Sequence, residues 1–372
     1  MTDTDLETTS EQAQPSLLSR IWKAISIPVV AVLLALIVSA VILILSGSNP
    51  LLAYAALFQG AFGSLEKFGR TLEKATPLIF TGLAVAFAFK AGLFNIGAQG
   101  QLIFGAMTAA IIGFGIDGLP SVIHIPLALI GGAIAGGLYG AIPGVLKVYT
   151  GAHEVITTIM LNFIALNITD YLADGPLKDN SPGNIVARTP LISEAAEIPA
   201  PGGIPIGFFI AVVVAIIIWW VLGRTILGFE IRTVGLNPNA ARYAGIRVAA
   251  TVIITMVISG VLAGLGGAVE TLGIIHRFQP AFNVGLGFDG ITVALLGKTN
   301  PLGVVPAAVL IGALKAGSSQ MQLIAGVPKE ITEVIQALIL FFVAADAITR
   351  WVLRTRETDE DRVVLTTGWG KS

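Results

Sequence analysis

The chain has 372 residues, 55% of them apolar and 12% charged, with a formal net charge of -1. Soluble globular domains carry about 25% charged residues, so the composition argues for a fold solvated by lipid, and its near-neutral balance gives no reason to expect a nucleic-acid partner. There is no cysteine, which removes disulfides, thiolate catalysis and cysteine-bound metal, and the three histidines share no spacing that would hold zinc.

Residues 1–25 form a polar tail with Asp3, Asp5, Glu7 and Glu11 followed by Arg20 and Lys23. A cleaved signal peptide starts with a short basic stretch and has a shorter apolar run, so the tail is expected to stay attached to the first helix. A spanning helix needs about 20 mostly apolar residues, and Ile27–Ser46 is such a run with no charge in it. On this criterion spans are predicted at 26–46, 72–89, 92–115, 121–148, 153–172, 205–222, 248–268, 284–298, 302–322 and 329–350. The expected fold is all-α and polytopic: about ten transmembrane helices within 26–350, then a tail at 351–372. The 72–89 stretch is short and starts polar. The 284–298 stretch is interrupted by Gly285, Gly287, Asp289 and Gly290, which predicts a half-helix or re-entrant segment; such backbone survives at membrane depth only under a cover of protein or beside a water-filled cavity.

Lys and Arg concentrate in cytoplasmic loops. The 223–247 loop has Arg224, Arg232, Arg242 and Arg247 against Glu230, whereas 173–204 has Lys178 and Arg188 against Asp174, Asp179, Glu194 and Glu197. The first is therefore expected inside and the second outside. Counting spans from either loop then places both termini in the cytoplasm, beside Arg20 and Lys23 at one end and Arg350, Arg354 and Arg356 at the other.

Gly132, Gly136, Gly140 and Gly144 recur every fourth residue, as do Gly260, Gly264 and Ala268. Residues four apart share a helix face, so these stripes predict close helix packing, and their similar placing in the two halves hints at an internal repeat. Two soluble-enzyme motifs are spurious. Gly285, Gly287 and Gly290 match G-x-G-x-x-G without the strand and βαβ unit that fingerprint needs. Gly297-Lys298-Thr299 ends like a phosphate loop, but Thr292 stands where the first glycine belongs. No nucleotide site is visible in this chain.

Polar groups inside spans are costly, which makes them candidates for function. Phe94-Asn95-Ile96-Gly97-Ala98-Gln99-Gly100-Gln101 sets three amides and two glycines in eight residues. Two readings fit: a broken helix offering amides and backbone groups to a polar solute, or a capping turn. Asn162 and Asn167 fall in the 153–172 span, where either could bind a solute or a neighbouring helix. Asp289, near Thr292, is placed either to bind solute hydroxyls or to cap the half-helix after it. Glu270, Glu333 and Asp346 sit near predicted span ends and are expected to be solvated charges, and His124 is expected to be structural. In the 223–247 loop, Asn237 followed by Pro238 predicts a capped short helix ending at Gly245.

That loop carries a family likeness. Thr225-x-x-Gly228, then Arg232-x-Val234-Gly235-x-Asn237-Pro238-x-Ala240-Ala241-x-Tyr243-Ala244-Gly245-Ile246, resembles the cytoplasmic loop of ABC-importer permeases for branched-chain amino acids, ribose and nucleosides. The 94–101 stretch agrees, as do Glu154-Val155-Ile156-Thr157-Thr158-Ile159-Met160-Leu161-Asn162 and Gly287-Phe288-Asp289-Gly290-Ile291-Thr292-Val293-Ala294-Leu295-Leu296-Gly297; the last two look most like the nucleoside branch, served by a binding lipoprotein. The likeness covers about residues 70–345 and departs at Gln99, where nucleoside-type relatives usually carry Glu. It implies a transport subunit rather than an enzyme, in the cell (plasma or inner) membrane, working with an ABC ATPase that binds ATP and Mg, a second related permease and an external binding protein. Asn95, Gln99, Gln101, Asn162, Asp289 and Thr292 are the expected solute-path residues. Glu230, Arg232, Gly235, Asn237, Pro238, Arg242, Tyr243 and Gly245 are the expected ATPase-coupling residues. Permeases for simple sugars or branched-chain amino acids are the near alternatives. An ion-coupled secondary transporter, with Asp289 as its buried acid, and a passive channel are the alternatives of another class.

Overall fold

A computed structural model of the protein describes residues 17–280 and 285–345. Asp346, Arg350, Arg354, Arg356 and the tail at 351–372 lie outside the described residues, as does most of the tail at 1–25. The described residues form thirteen α-helices with no strand among them. Eight are long and apolar enough to cross a membrane: α1 (Leu17–Leu45), α3 (Leu65–Lys90), α4 (Ala98–Gly115), α5 (Ser121–Thr150), α6 (Glu154–Asp174), α7 (Ile206–Arg224), α10 (Val248–Glu270) and α12 (Pro301–Ala325). Shorter apolar helices are α2 (Pro50–Phe62) and α11 (Leu286–Leu296), and α13 (Glu330–Ala344) packs on α1. Helix α8 (Ile226–Leu236) and α9 (Pro238–Tyr243) lie at one end of the bundle, and the chain between α6 and α7 lies at the other.

Several predicted boundaries shift for local reasons. Helix α3 starts at Leu65 rather than 72, because its first turns carry Glu66, Lys67, Arg70, Glu73 and Lys74, which mask an apolar run. Helix α2 was not foreseen, although Asn49 caps it, accepting from the Leu51 and Leu52 amides, with Pro50 in its first position. Helix α4 starts at Ala98 rather than 92; Gly92 takes φ +69° and the backbone stays irregular to Gly97. Helix α11 spans only 11 residues, the half-helix that its glycines predict.

Helix α3 is the most enclosed element, buried almost continuously from Ala75 to Ala88. The predicted glycine stripes pack on each other: a β-carbon on Gly136 would overlap the Gly260 carbonyl, and one on Gly264 the Gly132 carbonyl. Helix α4 joins this contact, Gly105 against Gly264 and Gly267 against the Leu102 carbonyl. In lipid, where burying apolar side chains gains little, such backbone approach is what holds helices together.

Candidate functional site

Helix α4 begins inside the bundle. Asn95 Nδ2 donates to Ser259 Oγ on α10 at 2.8 Å, and that hydroxyl donates to the Ala84 carbonyl on α3 at 2.7 Å. Ala84 lies six residues before Lys90, so the break sits about 9 Å in from the end of α3. The first amides of a helix have no partner in their own helix, and Gly97, the N-cap, has no side chain to offer. A neighbouring helix supplies the cap instead: Asn162 Oδ1 on α6 accepts from the Gly100 amide at 2.8 Å, while its Nδ2 donates to the Ile96 carbonyl at 3.0 Å. Asn95 Oδ1 accepts from the Gly97 amide at 2.9 Å, and Asn95 Nδ2 also donates to Gln101 Oε1 at 2.9 Å.

Helix α11 starts against the same place. Gln99 Oε1 accepts from the Gly287 amide at 2.7 Å, and a β-carbon on Gly287 would overlap the backbone of Gln99. Two helix N-termini, each the positive end of a helix dipole, thus meet within the bundle. Asn95, Gln99, Gln101 and Asn162 are all no more than 3% exposed, so protein covers the irregular backbone. The structure brings these four amides into one cluster and places Thr292, also buried, five residues along α11 from the contact. In this conformation the cluster caps broken helices, the second of the two readings of the sequence. Amides that both donate and accept can exchange such bonds for those of a polar solute.

Asp289 does not cap α11, which has no side-chain cap. It pairs with Lys315 Nζ of α12 at 2.7 Å and accepts a hydrogen bond from Gln336 of α13. The pair therefore ties three helices together beside the α11 N-terminus, where a negative charge is favoured. Asn167 donates back to Phe163 in its own helix, and His124 Nε2 meets the Ile112 carbonyl at 3.0 Å, a structural role. Glu333 is exposed, as expected. Glu270 is not the solvated charge expected at a span end: it is 5% exposed, enclosed between α10 and its neighbours.

The 223–247 segment holds two helices where one was predicted. Thr225 Oγ1 accepts from the Gly228 amide to start α8. Asn237 Oδ1 accepts from the Asn239 and Ala240 amides at 3.0 and 3.1 Å to start α9, with Pro238 in its first position. The helix stops at Tyr243, and Gly245 turns the chain at φ +82°, a left-handed conformation that favours glycine. Ile231, Val234 and Ala241 anchor the pair. Leu236 and Tyr243 stand exposed at 70% and 93%, Arg232 and Arg242 are exposed, and Glu230 is half-buried. A β-carbon on Gly235 would overlap the Lys90 carbonyl, so α8 rests on the end of α3 where the irregular 91–97 segment begins.

The family described as branched-chain amino acid transport system / permease component matches residues 68–344. The chain is 43% identical to the guanosine ABC transporter permease of Bacillus subtilis, over 88% of this chain and 95% of that protein. It is 37% identical to a nucleoside ABC transporter permease of Lactococcus lactis, over 89% and 93% of the two chains. It is also 36% identical to a glucose ABC transporter permease of Haloferax volcanii, over 86% and 87%. With its run of apolar helices, the chain is a multi-pass membrane protein belonging to the branched-chain amino acid transport system permease family of ABC importers.

Proposed function

We propose that this chain is the permease subunit of an ABC importer that carries nucleosides. The observation that supports this best is the likeness, over nearly the whole chain, to permeases named for guanosine and for nucleosides. The glucose permease among its relatives keeps a simple sugar as the second reading. A buried cluster of four amides fits either solute without favouring a charged one, because amides donate and accept with no fixed charge. The solute route we propose runs past the meeting point of α4 and α11, with Asn95, Gln99, Gln101, Asn162 and Thr292 exchanging their internal bonds for solute as the bundle opens. Asp289 acts in this scheme by holding α11 in place.

The α8–α9 end is assigned to the cytoplasm, where exposed Tyr243 and Leu236 provide apolar anchors for an ABC ATPase, and Arg232 and Arg242 set its register. Glu230, Gly235, Asn237, Pro238 and Gly245 shape that surface. The 173–204 segment is assigned to the outside, facing a binding lipoprotein, with both termini in the cytoplasm. A second, related permease completes the path. ATP and Mg belong to the ATPase, and transport requires that its nucleotide state favour one permease conformation over another.

The test is uptake of labelled guanosine, adenosine, uridine and glucose in the native host with this gene deleted and then restored. Nucleoside uptake should disappear and return with the gene, and should stop when the partner ATPase is inactivated. Uptake that survives ATPase loss but collapses with the ion gradient would establish an ion-coupled transporter instead, and restoration of glucose uptake alone would establish a sugar permease.

A further inference from the structure

Helix α8 is apolar on both sides. Its inner side packs Ile231 and Val234, both fully buried, against the bundle. On the opposite side, which no described residue covers, Ile226 is 80% exposed and Phe229, one turn on, is 56% exposed. Single exposed apolar residues are ordinary, but these two are neighbours on one helix face. A surface helix that faces water carries polar residues there. Leu236, at the far end of the same side, is the anchor already assigned to the ATPase.

The level at which α8 lies tells what meets Ile226 and Phe229. Helix α7 is long and apolar enough to span, and Trp219 and Trp220, in its last two turns, stand exposed. Tryptophan gathers at the headgroup level of a bilayer, so this pair marks the membrane surface, with exposed Arg224 just beyond it. The chain then turns back on itself. Thr225 Oγ1 donates to the Val221 carbonyl at 2.7 Å and accepts from the Gly228 amide at 3.1 Å. A β-carbon on Gly228 would overlap the Val221 carbonyl and the backbone of Leu222. The start of α8 is therefore held level with Val221, the residue after the tryptophan pair. Its other end rests at Gly235 on Lys90 and Ala91, where the spanning helix α3 stops. With both ends fixed at the ends of spanning helices, α8 runs along the membrane surface instead of out into water.

Charge agrees with that position. Residues 223–247 carry four arginines against one acid, Glu230. The cytoplasmic leaflet is negative and attracts basic residues at its surface. Arginine lays its stem on apolar surface while its head reaches a phosphate, and Arg224 precedes Ile226 by two residues.

We propose that α8 is an interfacial membrane helix, with Ile226 and Phe229 entering the boundary between headgroups and acyl chains of the cytoplasmic leaflet and Arg224 binding the phosphate of an anionic phospholipid. This rests on the cytoplasmic placing of 223–247 and is independent of the solute. Lipid and ATPase then divide the segment. The bilayer holds the first turns of α8, and Leu236 and Tyr243, farther along the chain, are left for the ATPase.

The test uses the absence of cysteine from this chain. A single spin label is placed on Ile226→Cys, Phe229→Cys or Tyr243→Cys in the complete transporter, reconstituted in phosphatidylcholine vesicles with or without phosphatidylglycerol. All three positions are exposed, so the label leaves the packing intact. Collisions with oxygen, which concentrates in lipid, are compared with collisions with a water-soluble nickel chelate. Oxygen should prevail severalfold at 226 and 229 but not at 243. Phosphatidylglycerol should raise the oxygen-to-nickel ratio at 229, and Arg224→Gln should remove most of that rise, since one basic residue at an anionic surface is worth about fivefold in binding. Nickel prevailing at 226 and 229 would mean that water covers the face, and shielding from both reagents that appears only with the ATPase would mean that the ATPase does. Either result overturns the proposal, and a ratio at 229 indifferent to phosphatidylglycerol overturns the phosphate contact. Labelling of Tyr243→Cys by an impermeant maleimide in intact cells would instead remove the cytoplasmic placing on which the proposal rests.

Discussion

Asn162 is the side chain on which the broken α4 helix most depends, and Asn162→Ala isolates that dependence. The substitution removes the acceptor of the Gly100 amide and the donor to the Ile96 carbonyl, both inside the bundle. A buried polar group left without its partner costs about 1–3 kcal/mol, so two such groups cost roughly 2–6 kcal/mol. Native proteins are stable by about 5–15 kcal/mol in total, which makes this a large fraction. Asn167→Ala is the matched control, five residues along the same helix, because its amide bonds only to its own helix at Phe163; a change on such a face falls within about 0.5 kcal/mol. The assay is thermal unfolding of the detergent-solubilised permease, read beside guanosine uptake at equal membrane abundance. Asn162→Ala should melt several degrees below wild type and lose most uptake, whereas Asn167→Ala should match wild type in both. Equal melting and equal uptake in the two variants would show that the α4 break does not need this cross-helix cap.

Asp289→Asn should destabilise the bundle by up to about 3 kcal/mol, the low edge of the range for breaking a buried pair, because Lys315 is partly exposed; Asp289→Asn with Lys315→Met should recover part of that loss, and a purely additive double variant would contradict the pairing. Gly235→Val should uncouple ATP hydrolysis from uptake while Gly245→Val mainly weakens ATPase copurification. Hydrogen bonds from Ser181, with Arg188 nearby, hold the Asp179 carboxyl below its ordinary value, so its contribution is present at neutral pH and is lost as the pH falls from about 4 through the depressed value. Limited proteolysis of the 173–204 segment should therefore accelerate only in that acid window, and Asp179→Asn should flatten the response; equal acceleration in the variant would contradict it.

How much of this was legible in the sequence depended on whether the signal was local. The Asn237–Pro238 pair announces a helix start because cap and first turn are adjacent in sequence, and the helix is there. The same signal at Asn49–Pro50 passed unread, because no long apolar run follows the 13 residues of α2. Charges in the first turns of α3 hid its start in a hydropathy count. The glycine stripes promised close packing and delivered it, yet only coordinates show that α5 and α10 are each other's partners. Asn95, Gln99 and Gln101 could be picked out by their density, but the bonds of Asn95 and Gln99 run to α10 and α11, contacts that no spacing rule encodes. Glu270 was misread for the same reason. A charge near a span end is ordinarily wet, but this one is closed in by the fold, with Lys74 of α3, far away in sequence, as its charged neighbour.

The two glycines of the α8–α9 pair separate shape from transmission. Gly245 has open space where a β-carbon would go and needs glycine only for its φ of +82°. A valine there strains the turn after α9 and reshapes an exposed surface, but touches nothing else. Gly235 is the reverse case: its φ is ordinary, but a side chain would collide with Lys90 and Ala91. Those residues open the irregular segment that ends at the α4 N-terminus, and that segment carries Asn95 and the Ile96 carbonyl bound by Asn162. A push on α8 therefore reaches the amide cluster through seven residues of chain, without a separate relay. Packed elements respond to such pushes by switching between discrete arrangements rather than by bending. Gly235→Val should accordingly bind the ATPase normally, hydrolyse ATP at a rate indifferent to loaded binding protein, and move little solute. Gly245→Val should lose ATPase from the purified complex while the remainder stays coupled. Identical phenotypes in the two variants would mean that the contact of α8 with the end of α3 carries no signal.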